Sequence, residues 1–338
     1  MFETLRRWLP YFGRHKAPRP LNLALQGGGA LGAFTWGVLD RLLEEEHIEF
    51  DTVSGVSAGA MNAAVLASGL AAHGRRGARD SLRTFWERVA RTARMSGAGT
   101  ASGQFMASFG LFLSPYQTNP LNLDPLRKIL EDVVDFGQLR SESPVRLIIA
   151  ATNLCTEEAR LFGAPEITVD VLLASSCLPM LHHAVFVDGD PYWDGGFTAN
   201  PPLLPIVEQA RAAETLLVRL MEVGMTSPPS SAPDITARVH QIAFNRPLTD
   251  ELAQLELLRR LAADLTASPN RLLRSAARHR LHEIDANAHL DARLKAQWAN
   301  PGPGVIEAMF THGREAAQAW LEQDAPLTDT PDAQTSPQ

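Results

Sequence analysis

Hydrophobic positions near the start of the chain change from a continuous run to a helical period. Residues 21–25 form a short apolar run next to a glycine-rich stretch, a pattern typical of a buried parallel strand. The glycines at 27–29 follow it. From residue 30 to residue 46, apolar side chains recur at every third or fourth position, which predicts an amphipathic helix. The segment is therefore predicted to be a strand, a tight turn and a helix.

The same order repeats immediately along the chain. Residues 52–54 predict a second short strand that ends at Gly55, and small apolar residues from 58 to 72 predict a closely packed helix. Such a βαβα order implies right-handed crossovers and a parallel sheet covered by helices on both faces. Further strands are predicted at 145–152 and 215–220, with shorter ones at 166–173 and 184–187.

Changes in residue type predict how the chain is divided. A Pro/Ser-rich stretch at 227–233 separates a domain at 21–226 from a mostly helical extension at 234–323. The last residues, 324–338, have almost no apolar side chains and are predicted to be disordered. Residues 96–120 are rich in Gly, Ser, Met and Phe and are the candidate for a lid. Residues 1–20 form a basic and aromatic N-terminal segment.

Composition and charge narrow the class of protein. The 338 residues are 45% apolar, enough to bury a core without disulfides or structural metals. A net charge of -7 excludes a global attraction to nucleic acid. Two cysteines, Cys155 and Cys177, favour a reducing compartment. Because the sequence has no bilayer-spanning apolar run and no secretory signal, we expect a cytoplasmic location, and we expect neither a metal nor a cofactor.

A serine motif lies at the predicted turn between the second strand and its helix. The sequence GVSAG at 55–59 fits the G-x-S-x-G pattern. Its glycines permit a sharp turn that exposes the Ser57 hydroxyl at the carboxyl end of the sheet. The N-terminus of the following helix favours the negative charge that develops there. Ser57 is therefore the candidate nucleophile.

A serine nucleophile needs a base, and acyl transfer needs donors that stabilise an oxyanion. Asp194 opens the turn DGG at 194–196, directly after two bulky aromatic residues, and is the candidate base. Consecutive backbone N–H groups of Gly27, Gly28 and Gly29, at the start of the first helix, are the candidate oxyanion hole.

Two alternative interpretations of these residues stay open. The dinucleotide-binding fingerprint is also matched by Gly27, Gly29 and Gly32, which would make the chain a non-hydrolytic protein. That fingerprint needs an acidic residue to bind the ribose. Asp51 has about the right spacing but is predicted to precede the second strand. The other alternative is a Ser-His-Asp α/β-hydrolase esterase. It would use a histidine from a stretch predicted to be helical, namely His240, His279, His282, His289 or His312. His182 and His183 are expected to line the site or to pack beneath it.

The order of ALQGGGALGAF, GVSAG, ASSCLPMLHHAV and DGGFTANPP resembles the patatin-like phospholipase family over residues 21–220. The resemblance implies an α/β, three-layer patatin-like fold with a mostly parallel central sheet flanked by helices, plus the C-terminal helical extension. It also implies a phospholipase A or lysophospholipase-like acyl hydrolase with a Ser57–Asp194 dyad, oxyanion glycines Gly27–Gly29 and no catalytic histidine. Leu31 stands where many members have Arg or Lys, so backbone donors alone would stabilise the oxyanion.

The expected partner is a lipid or another acyl ester, and its headgroup and chain length stay open. Peripheral membrane contact is a further expectation. The N-terminal segment forms either an interfacial helix or a terminal helix packed on the domain, and it contains Phe2, Arg6, Arg7, Trp8, Tyr11, Phe12, Arg14 and Lys16. A second apolar surface is predicted from Phe105, Met106, Phe109, Leu111, Phe112 and Leu113.

Overall fold

The computed structural model describes residues 17–95, 114–224, 228–263, 270–295, 297, 301 and 304–323. Most of the N-terminal segment, residues 96–113 of the candidate lid with their apolar surface, and the tail at 324–338 lie outside the described residues. The predictions made for them stay predictions.

One mixed sheet lies at the centre of the described residues. Its strands are β1 (Arg19–Leu25), β2 (Ile48–Gly55), β3 (Arg146–Asn153), β4 (Ala159–Phe162), β5 (Val185–Val187), β6 (Asp190–Asp194), β7 (Glu214–Arg219) and β8 (Arg280–Asp285). They are arranged in the order β5-β6-β3-β2-β1-β7-β8, and β4 pairs with β3. The five strands from β3 to β8 in this order are parallel, whereas β4, β5 and β6 are joined by antiparallel pairs.

Helices cover both faces of this sheet. They are α1 (Gly32–Leu42), α2 (Ala58–Met95), α3 (Pro115–Thr118), α4 (Pro125–Val133), α5 (Phe136–Glu142), α6 (Val169–Ser175), α7 (Leu204–Gln209), α8 (Ala232–Ala263), α9 (Arg271–Arg278), α10 (Ala292–Lys295) and α11 (Val305–Gln323). Helix α2 bends at His73–Gly74. None of the helices within the described ranges combines the length and the apolar character that crossing a bilayer requires.

Alternating side chains of the parallel strands belong to two separate cores. Leu23 and Leu216 pack with α1, α2 and α11 in the larger core. Their neighbours Ala24 and Leu217 pack with α7, α8 and α9 in the smaller core. Because successive side chains of a strand point to opposite faces, both faces of the sheet are buried, and the α/β three-layer fold is confirmed.

Several predicted elements differ from the observed ones. Residues 166–173 were predicted as a strand, but they form part of a 3-10 turn and then α6. The side chain of Thr168 caps α6 by accepting the N–H of Val171 over 3.2 Å, and the helix buries Leu172 and Leu173. The cap and this burial outweigh the strand preference of the local sequence. The strand predicted at 184–187 is confirmed as β5.

The second strand is longer than the sequence predicted, and this corrects the position of Asp51. Strand β2 begins at Ile48, so Asp51 lies inside it rather than before it. The Asp51 carboxylate accepts the N–H groups of Arg211 and Ala212 over 2.6 and 3.0 Å. These contacts lie toward the amino-terminal ends of the parallel strands, whereas Gly55 lies at the carboxyl end of β2.

The C-terminal extension contributes a strand as well as helices. Strand β8 lies beside β7 in the central sheet, and α11 packs on α1. The two helices are so close that an added Cβ on Gly313 would overlap the carbonyl oxygen of Phe34. Asp40 of α1 is 2% exposed and pairs with Arg79 and with Arg314 of α11. The division of the chain near residue 226 stays a prediction.

Candidate active site

Ser57 lies on a sharp turn between β2 and α2. Its φ is +53°, in the left-handed region that residues other than glycine seldom adopt. An added Cβ on Gly59 would overlap the carbonyl oxygen of Leu25, so the turn packs directly on the end of β1. This is the strained strand-to-helix geometry of a serine nucleophile on an α/β sheet.

A second serine holds this turn in place. The N–H of Ser57 donates to both the carbonyl oxygen and the Oγ of Ser175, over 3.1 and 3.0 Å. The Oγ of Ser175 in turn donates to the carbonyl oxygen of Ala150 in β3 over 2.7 Å. Ser175 ends α6, and no local sequence pattern predicts this role because the contact joins residues far apart in the chain.

Asp194 ends β6 and is completely buried. Its Oδ1 accepts the N–H of Gly196 over 2.8 Å, and its Oδ2 has no well-formed hydrogen bond with any described residue. Burial raises the pKa of Asp194 to about 7, against the opposing effects of the hydrogen bond from Gly196 and of the nearby Ser57 hydroxyl. A carboxylate beside a serine hydroxyl, with a pKa near neutrality, is suited to accept that proton.

The two glycines after Asp194 are required by close packing. An added Cβ on Gly195 would overlap the carbonyl oxygen of Ala150, and one on Gly196 would overlap the ring of Phe244. The backbone N–H of Asp194 donates to the carbonyl oxygen of Cys177 over 2.8 Å. The backbone at residues 194–195 is therefore held by β3 on one side and by the segment after α6 on the other.

The glycine turn after β1 lies directly beside Ser57. An added Cβ on Gly27 would lie 2.9 Å from the Cβ of Ser57. The N–H of Gly27 donates to Oδ1 of Asn200 over 2.8 Å. The N–H groups of Gly28 and Gly29 donate to no acceptor among the described residues, and Gly29 has a φ of +56°. Two of the three glycines named from the sequence thus keep a free N–H.

Two buried amides that the sequence analysis did not single out support the turn. The Nδ2 of Asn200 donates to the carbonyl oxygen of Phe244 over 3.1 Å. The Oε1 of Gln26 accepts the N–H groups of Leu220 and Met221 over 2.7 and 2.9 Å. Both side chains are completely buried. Their positions inside LQGGG and DGGFTANPP are the only sequence signal, since the contacts depend on the folded chain.

A cavity of about 470 Å³ opens at Ser57. Its apolar lining includes Met61, Phe85, Trp86, Val89, Leu126, Ile129, Leu178 and Leu181. The polar side chains in its wall are Ser57, Thr92, Asp124, Ser176 and His182, and no Lys or Arg of the described residues lines it. A long, uncharged and apolar group fits such a lining.

The histidines are placed differently from a catalytic triad. His182 lines the cavity that contains Ser57, and burial lowers its pKa although the Asp124 carboxylate opposes this. His183 stacks on Tyr116 with a ring-centroid distance of 4.0 Å. The five later histidines do not line this cavity. The sequence placed all five in helices, but His282 lies in β8, and His279 and His289 lie in connections next to strand and helix ends.

Groups that a dinucleotide would need are bonded within the protein, and the described residues contain no cluster of metal ligands. The N–H of Gly27 is already bonded to Asn200, and Asp51 is bonded to the backbone at residues 211–212. Across the described part of the chain, no cluster of three His, Cys, Asp or Glu side chains could hold a metal ion.

Comparison with known proteins agrees with the motifs and the fold. The model of the patatin-like phospholipase family matches residues 23–207, more than half of the chain. The chain therefore belongs to the patatin-like phospholipase family, and lipid acyl hydrolysis is the class of activity that this family implies.

Individual relatives are distant. Uncharacterized protein R571 of Acanthamoeba polyphaga mimivirus is 27% identical over 195 residues, which are 54% of this chain and 60% of that protein. The chain thus spans less than two thirds of that relative's length. VipD from Legionella pneumophila is a similar solved structure, with a TM-score of 0.43, 14% identity, and coverage of 91% of this chain and 67% of VipD. ExoU in complex with SpcU, from Pseudomonas aeruginosa, gives a TM-score of 0.34 at 18% identity, covering 90% of this chain and 76% of the solved one.

Proposed function

We propose that this protein is a serine hydrolase of lipid esters, with Ser57 as nucleophile, Asp194 as base, and the N–H groups of Gly28 and Gly29 as the oxyanion hole. The observation that carries the proposal is the buried Asp194 carboxylate. Burial raises its pKa to about 7, and the nearby Ser57 hydroxyl opposes that rise. Burial thus makes a carboxylate basic enough to serve where other hydrolases use histidine.

In the first half-reaction, Asp194 accepts the hydroxyl proton while Ser57 Oγ bonds to the ester carbonyl carbon. The carbonyl oxygen then carries the negative charge and accepts the N–H groups of Gly28 and Gly29. Collapse of this tetrahedral intermediate breaks the bond to the alcohol, which takes the proton from Asp194 and leaves. The products of this half-reaction are the free alcohol and an ester between the acyl group and Ser57.

In the second half-reaction, a water molecule attacks the acyl carbon of the Ser57 ester. Asp194 accepts a proton from the water, and the same glycine N–H groups stabilise the oxyanion. Collapse returns that proton to Ser57 Oγ and releases the fatty acid. Because the carboxylate is uncharged after each proton transfer, its burial favours the protonated form that the intermediate requires.

Gly27 has a positioning role in this proposal rather than a donor role. Its N–H is bonded to Asn200, and its missing side chain leaves room for Ser57. The turn can therefore approach the nucleophile closely while the next two N–H groups stay free for the substrate.

The apolar cavity supports a lipid as the substrate. A fatty acyl chain bound there would place its carbonyl carbon beside Ser57, and burying each methylene contributes about 0.8 kcal/mol. Leu181 lines the cavity and is 55% exposed, so its side chain also faces outward. This exposure supports contact with a lipid surface at the mouth of the cavity.

The experiment that tests the proposal is steady-state hydrolysis of p-nitrophenyl esters with acyl chains of increasing length. Hydrolysis should favour longer chains until the cavity is filled. Ser57→Ala should lose all measurable turnover, and Asp194→Asn should lose at least about a hundredfold in kcat. His182→Gln is the control, because His182 is the one histidine of the described residues that lines the cavity. Turnover that depends on His182 but not on Asp194 would overturn the proposed dyad.

A further inference from the structure

One carboxylate lies in the wall of the cavity that opens at Ser57. Among the described residues, Asp124 is the only Asp or Glu that lines this cavity, and most of its neighbours there are apolar. Its Oδ1 caps α4 by accepting the N–H of Leu126 over 2.9 Å. The cap fixes the carboxylate in the wall, and the positive end of the helix dipole favours negative charge at this position.

The charge of Asp124 is not balanced by a Lys or Arg of the described residues. Asp124 forms no ion pair with any of them. Arg127, in the first turn of α4, pairs with Asp170 over 2.6 Å instead. The glycine turn adds no cation either, because Leu31 is apolar and 4% exposed. The carboxylate therefore faces the cavity without a fixed partner in the described part of the chain.

The imidazole of His182 does not supply the missing positive charge. His182 also lines the cavity, and burial lowers its pKa, although the Asp124 carboxylate opposes this. Its Nδ1 is buried and has no hydrogen-bond partner among the described residues. At neutral pH His182 is therefore uncharged, and the described lining carries one net negative charge.

Asp124 lies near the mouth of the cavity rather than at its base. The lining side chains of Phe85 and Trp86 are 2% and 3% exposed, whereas that of Leu181 is 55% exposed. Leu123, directly before Asp124, is 70% exposed. An acyl chain fits the apolar base, so the alcohol part of the ester would lie toward the mouth, close to Asp124.

The electrostatic effect of Asp124 extends to the residues that hold the dyad. Burial raises the pKa of the Cys177 thiol to about 12, and the charges of Asp194 and Asp124 add to this rise. The carbonyl oxygen of Cys177 accepts the backbone N–H of Asp194 over 2.8 Å. Both carboxylates thus act on one side chain, and a charged group on an ester bound at Ser57 would interact with Asp124 as well.

We propose that Asp124 makes the site selective for the charge of the alcohol, so that esters of cationic and uncharged alcohols are accepted and esters of anionic alcohols are rejected. This inference rests on the proposed function, because it concerns the substrate of the same site. A charge acts strongly in a cleft with apolar walls, since little water screens it. Asp124 therefore attracts a cation and repels an anion at the mouth of the cavity.

The first test compares three soluble hexanoate esters that differ only in the charged end of the alcohol. The alcohols are choline, its uncharged isostere 3,3-dimethylbutanol, and the anionic isethionate, and the released hexanoic acid is measured by titration. In the wild-type protein kcat/KM should decrease in that order. In Asp124→Asn the ratio of kcat/KM for the choline ester to that for the isethionate ester should fall at least about tenfold.

The substitution is chosen so that it changes the charge and keeps the structure. Asn is as good an N-cap as Asp, so Asp124→Asn preserves the cap of α4. Asp135→Asn is the matched control, because Asp135 caps α5 by accepting the N–H of Gln138 over 2.9 Å and does not line the cavity. It should leave the ratio as in the wild type. An unchanged ratio in Asp124→Asn overturns the proposal, and so does an equal fall in both variants.

A binding measurement separates this inference from the proposed catalysis. Ser57→Ala is titrated with hexyltrimethylammonium and with hexyl sulfate, both below their micellar concentrations, while tryptophan fluorescence is followed, since Trp86 lines the cavity. The cation should bind with the lower Kd.

In Ser57→Ala/Asp124→Asn, the Kd of hexyl sulfate divided by that of hexyltrimethylammonium should fall at least about tenfold. This result supports selection by charge, even if the wild-type protein hydrolyses no ester. The same Kd ratio with and without the Asp124 carboxylate rejects it, even if Ser57 proves to be the nucleophile.

Discussion

The backbone N–H of Gly27 donates to Oδ1 of Asn200 over 2.8 Å, across 173 positions of the chain. This hydrogen bond joins the glycine turn after β1 to the segment that follows Asp194. Ser57 lies beside this turn, since a Cβ on Gly27 would touch the Cβ of Ser57. One buried amide thus fixes the relative position of the three motifs.

Asn200→Ala should impair catalysis beyond its effect on stability. It leaves the buried N–H of Gly27 unpaired, which costs about 1–3 kcal/mol in the free energy of unfolding, and it frees the glycine turn to shift. We expect kcat for a p-nitrophenyl ester to fall at least about tenfold, with a smaller change in KM.

The control for this variant is Asn270→Ala. Asn270 caps α9 by accepting the N–H groups of Leu272 and Leu273, and it does not line the cavity at Ser57. Its loss should cost about 0.5–2 kcal/mol of stability without changing kcat. Equal kcat values for the two variants would mean that Asn200 has only a structural role.

The burial of Asp194 predicts a cost in stability that appears above pH 4. Its pKa is about 7 in the fold against the usual 3.8, so between these values the folded protein binds a proton that the unfolded chain has released. Stability should therefore be full below about pH 4 and be lost progressively as the pH rises through 7. Asp194→Asn removes this penalty.

We expect Asp194→Asn to be more stable than the wild type at pH 8, by up to about 4 kcal/mol, and to lose this advantage near pH 4. Urea unfolding at several pH values measures the difference. Asp250→Asn, at a surface carboxylate that pairs with Arg246, is the control for the loss of a carboxylate charge. A pH-independent difference for Asp194→Asn would contradict the raised pKa.

The pH dependence of catalysis follows from the same carboxyl group. Asp194 must be unprotonated to accept the Ser57 proton, so kcat/KM should rise with pH and level off above an apparent pKa of about 7. Burial lowers the pKa of His182, so this histidine should not cause the rise in kcat/KM near pH 7. His182→Gln should therefore show the same rise. A profile that stays flat from pH 5 to pH 8 would exclude Asp194 as the base.

Much of the fold could be predicted because its strands are locally encoded. The apolar runs at 21–25 and 145–152 correspond to β1 and β3, which are buried on both faces. Strand β8 was missed, because the sequence RLHEID is polar and gains its place only by pairing with β7. Residues 166–173 were assigned wrongly because their branched side chains favour a strand until Thr168 caps a helix.

Some residues of the candidate site could likewise be predicted from the sequence, and others could not. Ser57, Asp194 and the glycine turn could be named from short motifs, because each needs a particular local backbone. Ser175, Asn200 and Gln26 could not be, since their hydrogen bonds join distant parts of the chain. The commitment of the Gly27 N–H to Asn200, which leaves Gly28 and Gly29 as donors, was likewise visible only in the fold.

Gly313 provides a test of how α11 contributes to the fold. An added Cβ there would overlap the carbonyl oxygen of Phe34, so Gly313→Ala should force α11 away from α1. We expect a loss of about 1–3 kcal/mol in the free energy of unfolding, measured with urea. Gly163→Ala is the control, because its Cβ would meet nothing closer than 3.8 Å. Equal stability of both variants would mean that α11 adapts without cost.

The central claim is that Ser57 is an activated nucleophile, and intact-mass detection of a fluorophosphonate adduct tests it most directly. The wild-type protein should gain one adduct, Ser57→Ala should gain none, and Asp194→Asn should label much more slowly at pH 8. An adduct that persists in Ser57→Ala would contradict the claim. So would a wild-type protein that stays unlabelled in the presence of detergent or lipid.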